Sequence, residues 1–386
     1  AIKLALQLNN KVFVPKVAIQ LAMNVFGEEG SIAFMARLCE DYSGNKSLIS
    51  NQVSLLDSYG KTDELFELYR KHKAFFNNKS LSIIMRHDFP AELSDDKDAY
   101  IRNVNDKSSK RHINIAIRCS AERGDTDRLK QILRFSCRGN NDISHWSSRL
   151  PENSELKRSV FSVDGNAKEL TPAVSKNSSG IVLVFTGMHG NVWMPCSFLD
   201  YYFAALNLSA FYLRDYQRLL FLNGIASLGK DFLSTVNRLR EIIEGTGIQR
   251  LFTFSASAGG FAAIRYGLEL GAETALCFSP PFNLTQDFLE HDPRGKIVQR
   301  RLLSKVDNNV LDARSLIESA SNSMAVHTYY GDGVVTDRRH SEYLLGVQSV
   351  TLHPLEGCKN HDSLSFTANR YNLLSLLGQH YNLSAA

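Results

Sequence analysis

The sequence predicts a two-part chain: an α/β domain with a doubly wound, mainly parallel sheet, preceded by an all-α domain of helical-hairpin repeats. Three observations carry this prediction. From residue 181 onward, short apolar runs alternate with amphipathic helical stretches, the pattern of strands covered by helices on both faces. The first 136 residues read instead as helical runs recurring at a regular step. A length of 386 residues also exceeds what one hydrophobic core usually fills. The expected division is 1–136 helical, 137–157 linker and 158–386 α/β, the linker lying in a stretch rich in Ser, Asn, Gly and charge.

In the helical part, turns are expected at Gly27, Gly60, Ser94 and Gly124, roughly 34 residues apart. Similar openings follow them: GEEGSIAFMARLC, GKTDELFELYRKH, SDDKDAYIRNVND and GDTDRLKQILRFS. An apolar helix precedes each, holding Val17, Ile19 and Leu21; Val53, Leu55 and Leu56; Leu81, Ile83 and Ile84; or Ile113, Ile115 and Ile117. Paired helices at this period resemble tetratricopeptide (TPR-like) repeats in architecture, although that family's Trp, Gly, Tyr and Pro pattern is largely absent. The resemblance implies a concave surface that takes a protein partner. The alternative is an irregular helical domain packed on the second one.

In the second part, strands are expected at Ile181–Phe185, Leu208–Leu213, Leu251–Phe254, Ala275–Phe278, Ala325–Tyr330 and Val350–Leu352. Helices are expected at Phe198–Leu206, Phe232–Ile243 and Leu364–Leu377, with a short antiparallel entry hairpin over 159–173. Such alternation puts the functional site at the carboxyl ends of the strands. Residues 280–322 lie between two strands, where a lid would sit.

The segment LFTFSASAGGFAAIRYGLELGA, residues 251–272, reads as a strand, a turn of very small residues with a serine at its tip, and a helix. So sharp a reversal demands small residues two places on either side of the serine, and Ser255 and Gly259 flank Ser257 at that spacing. A serine stands where a first glycine is usual. Downstream come AVHTYYGDGVVTD, with Asp332 and Asp337 after a strand, and EGCKNHDSL, with His361.

The order Ser, Asp, His on an α/β pattern resembles the α/β-hydrolase superfamily over residues 160–386. The resemblance implies Ser257 as nucleophile, His361 as general base and an aspartate that orients it. Asp337, paired with His340 as D-x-x-H at the start of a helix, is the favoured acid; Asp332, nearer the strand end, is the alternative. His353, His340 and His189 compete for the base, and His361 leads as the last histidine before the final helix. Backbone N–H groups of Ala258 and of Met188, in the turn TGMHGN, are the expected oxyanion donors. His189, Arg214 and Asp215 are candidates for the substrate pocket; for the latter two, local ion pairs on a solvated loop are the alternative. Arg294, Lys296, Arg300, Arg301 and Lys305 give the lid segment a cationic run, read either as a preference for anionic substrates or as a solvated face.

The expected reaction is hydrolysis of a carboxylic ester through acyl-Ser257, the ester being an acylated small molecule or glycan. The alternatives are acyl transfer with the same triad and a scaffold protein on an inactive hydrolase fold. A net charge of +4, dispersed along the chain, gives no argument for nucleic acid. The six cysteines are widely separated, without C-x-x-C pairs or a Cys/His ligand cluster, so no metal, cofactor or disulfide framework is expected and the cytoplasm is the favoured compartment. No apolar run reaches the roughly 18 residues that would suggest a membrane span.

Overall fold

The computed structural model describes residues 14–136 and 169–383, apart from 86, 88, 106, 109, 123, 124 and 176. The expected linker, residues 159–168 of the expected hairpin and the turn at Gly124 lie outside the described residues. The chain divides into two compact units, Ala1–Lys97 and Asp98–Ala386.

The first unit is helical. It contains α1 (Val14–Asp41), α2 (Lys46–Ser58), α3 (Thr62–His72) and α4 (Asn78–Ile84). Gly27 interrupts α1 at φ 67°, and Gly60 leads from α2 to α3 at φ 69°. Both expected turns therefore use a left-handed backbone that costs glycine little. Asn45 caps α2 by accepting from the Ser47 and Leu48 N–H groups. Leu48, Val53, Leu55 and Leu56 of α2 are buried, as are Leu65, Phe66 and Tyr69 of α3, and α2 packs against α1, α3 and α4. Helix α5 (Ser94–Arg102) crosses the division. Helices α6 (Lys110–Glu122) and α7 (Thr126–Ser136) belong to the second unit, where they pack on each other and α6 contacts α8 (Cys196–Ala205). The compact division thus falls before the boundary expected at residue 136.

The second unit is built on seven strands: β1 (Leu170–Ala173), β2 (Gly180–Phe185), β3 (Leu208–Leu213), β4 (Leu251–Ala256), β5 (Thr274–Phe278), β6 (Ala325–Gly331) and β7 (Val350–Leu355). Their order is β1-β3-β2-β4-β5-β6-β7, with β1 antiparallel to β3 and every other pair parallel. Every residue of β2, β3, β4 and β5 is buried. That explains their continuous apolar runs, since strands covered on both faces need no alternation. From β2 the chain steps outward to β3 and then returns past β2 to β4. The loops leaving β2 and β4 diverge as a result, and a crevice opens between them at the strands' carboxyl ends.

The helices after α8 are α9 (Phe232–Gly245), α10 (Gly260–Leu270), α11 (Gln286–Glu290), α12 (Lys296–Lys305), α13 (Ala313–Ser319), α14 (Val335–Glu342), α15 (Ser363–Arg370) and α16 (Leu373–His380). Asp231 and Ser234 start α9 with a reciprocal capping box. Helix α10 buries Phe261, Ala262 and Ile264 and ends at Gly271 in the left-handed conformation. Burial of Phe261 and Ile264 contributes roughly 1.5–3 kcal/mol each. The single final helix expected at Leu364–Leu377 is two helices in the structure. Tyr371 is extended, and the Asn372 side chain caps a new helix by accepting from the Ser375 N–H.

The turn from β4 into α10 is the tightest point of this unit. A Cβ on Gly259 would stand 2.2 Å from the Phe185 carbonyl oxygen, a backbone atom that cannot swing aside. Gly259→Ala is therefore expected to destabilise the protein by about 1–3 kcal/mol, the usual cost of overpacking. A lowered thermal midpoint relative to the parent chain is the readout; an unchanged midpoint would mean that the turn has slack.

Candidate active site

Ser257 follows β4 directly and adopts φ +52°, a left-handed conformation that a residue with a Cβ takes only under local constraint. The constraint comes from both sides. Gly259 lies against the end of β2, and a Cβ on Gly260 would meet Pro280 at 2.2 Å. Pinned there, Ser257 presents its Oγ 2.8 Å from His361 Nε2. His361 lies between β7 and α15, and its Nδ1 is 2.8 and 2.7 Å from the two carboxylate oxygens of Asp337. Asp337 sits in the first turn of α14 and is fully buried. The serine, imidazole and carboxylate thus form one continuous chain of hydrogen bonds. Asp332 is not part of it; its Oδ1 accepts from the Gly357 N–H at 3.1 Å.

The turn after β2 is closed by the Gly187 N–H on the Asn191 carbonyl (2.8 Å) and the Gly190 N–H on the Gly187 carbonyl (2.9 Å). The Arg218 guanidinium donates to the Met188 carbonyl and ties the turn to the loop after β3. A Cβ on Gly187 would stand 3.3 Å from the Ala256 carbonyl oxygen, so this turn lies close against the end of β4. Met188 and Ala258 both line a cavity of about 160 Å³ that also borders Ser257 and His361.

Leu220, Pro281, Leu284, Leu289, Val298 and Leu302 make the cavity's apolar wall. All but Leu220 belong to the segment expected as a lid, and Val298 and Leu302, four residues apart, come from one face of α12. The cationic run read from sequence has other uses. Arg301 is buried and donates to the Gln217 carbonyl at 2.8 Å, and Lys296 donates to the Leu289 carbonyl at 2.8 Å. Arg294 reaches the site itself. It donates to Asp337 at 2.6 Å while its other side grips Asp292, with Nε and Nη2 at 2.8–3.2 Å from the carboxylate oxygens. Sequence reasoning missed this role, as it missed Trp193, whose ring stands edge-on to His361 at 5.3 Å.

The expected pocket residues are placed differently. Asp215 is buried and accepts from the Leu219 and Phe221 N–H groups at 2.7 and 3.0 Å. It serves a loop in which Arg218, Leu220 and Phe221 all take positive φ and need an internal acceptor. Burial pushes its carboxyl above the usual range. Arg214 bonds Thr171 Oγ1 at 2.7 Å, and His189 packs edge-on to Trp193 at 6.4 Å. None of the three lines the cavity beside Ser257. Of the competing histidines, His340 is buried, accepting at Nδ1 from the Phe282 N–H (3.3 Å) and facing Asp292 with Nε2 (3.4 Å). Burial keeps it neutral more readily than an ordinary imidazole, against the pull of Asp292.

No protein-family model and no curated protein matches this sequence. Among solved structures the chain is similar to an α/β hydrolase from a sediment metagenome of the Mar Chica lagoon, Morocco, at 14% identity and TM-score 0.40, over 55% of this chain and 96% of that one. It is also similar to the fluorophosphonate-binding serine hydrolase F of Staphylococcus aureus, at 13% identity and TM-score 0.39, over 59% and 89% of the two chains. Esterase 2 of Thermogutta terrifontis shows 18% identity and TM-score 0.38, over 59% and 92%. The second unit has the α/β-hydrolase fold. Its mainly parallel sheet, its helices on both faces and its strand-turn-helix at Ser257 define it.

Asp292 links the site to acid stability. Burial alone would raise its pKa, but hydrogen bonds from His340 and Arg294 outweigh burial and hold it well below the ordinary carboxylate value. A carboxyl depressed by folding stabilises the native state above its unfolded pKa of about 4, and that contribution disappears as pH falls through the lower folded value. Asp292→Asn should therefore lower stability at pH 7 and flatten the fall between about pH 4 and pH 2. Thermal midpoints of parent and variant that stay parallel across that range would contradict the pairing.

Proposed function

We propose that this chain is a serine hydrolase that cleaves a carboxylic ester through an acyl-Ser257 intermediate. The observation that carries the reading is the Ser257–His361–Asp337 hydrogen-bond chain opening onto a small apolar cavity. In this reading His361 Nε2 takes the Ser257 proton as Oγ attacks the ester carbonyl. Asp337, held on Nδ1–H, fixes the tautomer and stabilises the imidazolium. The Met188 and Ala258 N–H groups receive the oxyanion, where one donor is worth about 3–4 kcal/mol of transition-state stabilisation. His361 then protonates the departing alkoxide. Water activated by the same imidazole releases the acid.

The cavity supports a further step in the reading. At about 160 Å³ it is smaller than pockets that enclose whole drug-sized ligands, commonly about 300–1,000 Å³. Its aliphatic wall suits the acyl half of the ester, as a short apolar chain, with the alcohol half left outside. An acylated glycan remains compatible with it, since only the acyl group must enter. Acyl transfer would use the same intermediate with an alcohol in place of water, and products formed in the presence of a competing alcohol separate the two.

A fluorophosphonate probe should label Ser257 alone in the folded chain, and Ser257→Ala should abolish labelling. Persistent labelling of that variant would remove Ser257 from the chemistry. With a short-chain p-nitrophenyl ester, Asp337→Asn is expected to lower kcat by about 10⁴-fold with little change in KM, as loss of the orienting carboxylate does in serine triads. Asp332→Asn should leave kcat near that of the parent chain. The reverse ranking would make Asp332 the acid.

A further inference from the structure

His327 on β6, His353 on β7 and His380 at the end of α16 come from three separate elements, yet their side chains meet. One ring nitrogen from each lies within 4.8 Å of the other two. His327 Nδ1 and His353 Nε2 are 3.2 Å apart, and the His380 ring centroid is 4.1 Å from that of His327 and 5.5 Å from that of His353. None of the three lines the cavity at Ser257.

Hydrogen bonding alone accounts for only part of this arrangement. A proton can bridge His327 and His353, but His380 forms no such bond with either among the described residues. It meets Tyr329 instead, whose hydroxyl lies 2.7 Å from His380 Nε2. Tyr329 also stacks on His353, with ring centroids 4.3 Å apart and planes 6° from parallel. One tyrosine thus contacts two of the three imidazoles, and its hydrogen bond to His380 is of the kind that orients metal-bound histidines. Burial, with smaller contributions from neighbouring imidazoles, brings His353 and His380 down to about 4, so both carry lone pairs rather than charge at neutral pH.

We propose that His327, His353 and His380 bind one divalent transition-metal ion of the zinc class, with a fourth position left to water. Nitrogens bound tetrahedrally at about 2.0–2.1 Å stand about 3.3 Å from one another, close to the 3.2 Å between His327 and His353. The His380 nitrogen lies within 4.8 Å of the other two, so it must move inward for all three to share one ion. Neutral imidazoles select zinc, copper or nickel over magnesium or calcium, which take oxygen ligands. The ion would join β6, the edge strand β7 and the C-terminal helix α16 at one point, so its chief effect is to fasten that edge of the sheet. This inference is independent of the hydrolase reading.

The test uses the full chain, stripped by a chelator and titrated with Zn²⁺ against a chromophoric competitor. One equivalent should bind and raise the thermal midpoint, and Co²⁺ in its place should give the strong visible bands of a four-coordinate site. Tyr329→Phe should weaken binding about 10–100-fold, as loss of an orienting partner does. His353→Ala and His380→Ala should each weaken it more than Tyr329→Phe while circular dichroism stays native. Should His353→Ala misfold, His327→Gln takes its place in the comparison. Failure of folded parent protein to bind one equivalent, or retention of binding in both His380→Ala and the His327 or His353 variant, overturns the proposal.

Discussion

The left-handed backbone at Ser257 is the constraint on which the site depends. Oγ can project into the crevice only because the chain leaves β4 and enters α10 within a few residues. That reversal presses Gly259 against the end of β2 and Gly260 against Pro280. It therefore couples the serine's position to strand packing in the sheet and to the first residues of the segment that walls the cavity. The unfavourable φ at Ser257 persists because these contacts over-determine it.

Around that point the site is built from two halves. Ser257, Met188 and Ala258 are carried by the ends of buried strands, whose parallel pairing fixes their spacing. The apolar wall comes instead from Leu220 after β3, from Pro281 and Leu284 before α11, and from α11 and α12. Arg294 bridges the halves. It joins Asp292 of the wall to Asp337 beside His361. Shape at the wall and charge at the relay are consequently not independent.

The parts legible from sequence were those governed by local pattern. Small residues around Ser257, apolar runs ending in loops, and the order of Ser257, Asp337 and His361 all show in the chain itself. Asp337 and Asp332 could not be separated with the same clarity. Both follow β6, and only the start of α14 decides which carboxylate turns inward. Asp215 misled because a charged residue just past a strand looks substrate-facing, whereas the left-handed residues after it required a buried acceptor. The cationic run of the lid concealed the apolar face of α12, since neighbouring residues on a helix point to different sides. The histidine triplet lay beyond pattern reading altogether. Its members sit on two strands and a helix, spaced too widely to resemble a ligand motif.

Tyr381 gives the chain's order of synthesis a bearing on the site. It is fully buried, its ring lies 4.6 Å from Phe252, its hydroxyl bonds the Thr253 carbonyl, and its own carbonyl receives Arg250. These partners are at the start of the strand that leads to Ser257, about 130 residues earlier in the chain. Emergence from the ribosome proceeds from the N-terminus, so β4 leaves the ribosome well before the residue that completes its lower packing. Until Tyr381 emerges, the start of the strand lacks the ring that covers Phe252. The start of the strand behind the serine turn therefore completes its packing only with a residue made about 130 positions later.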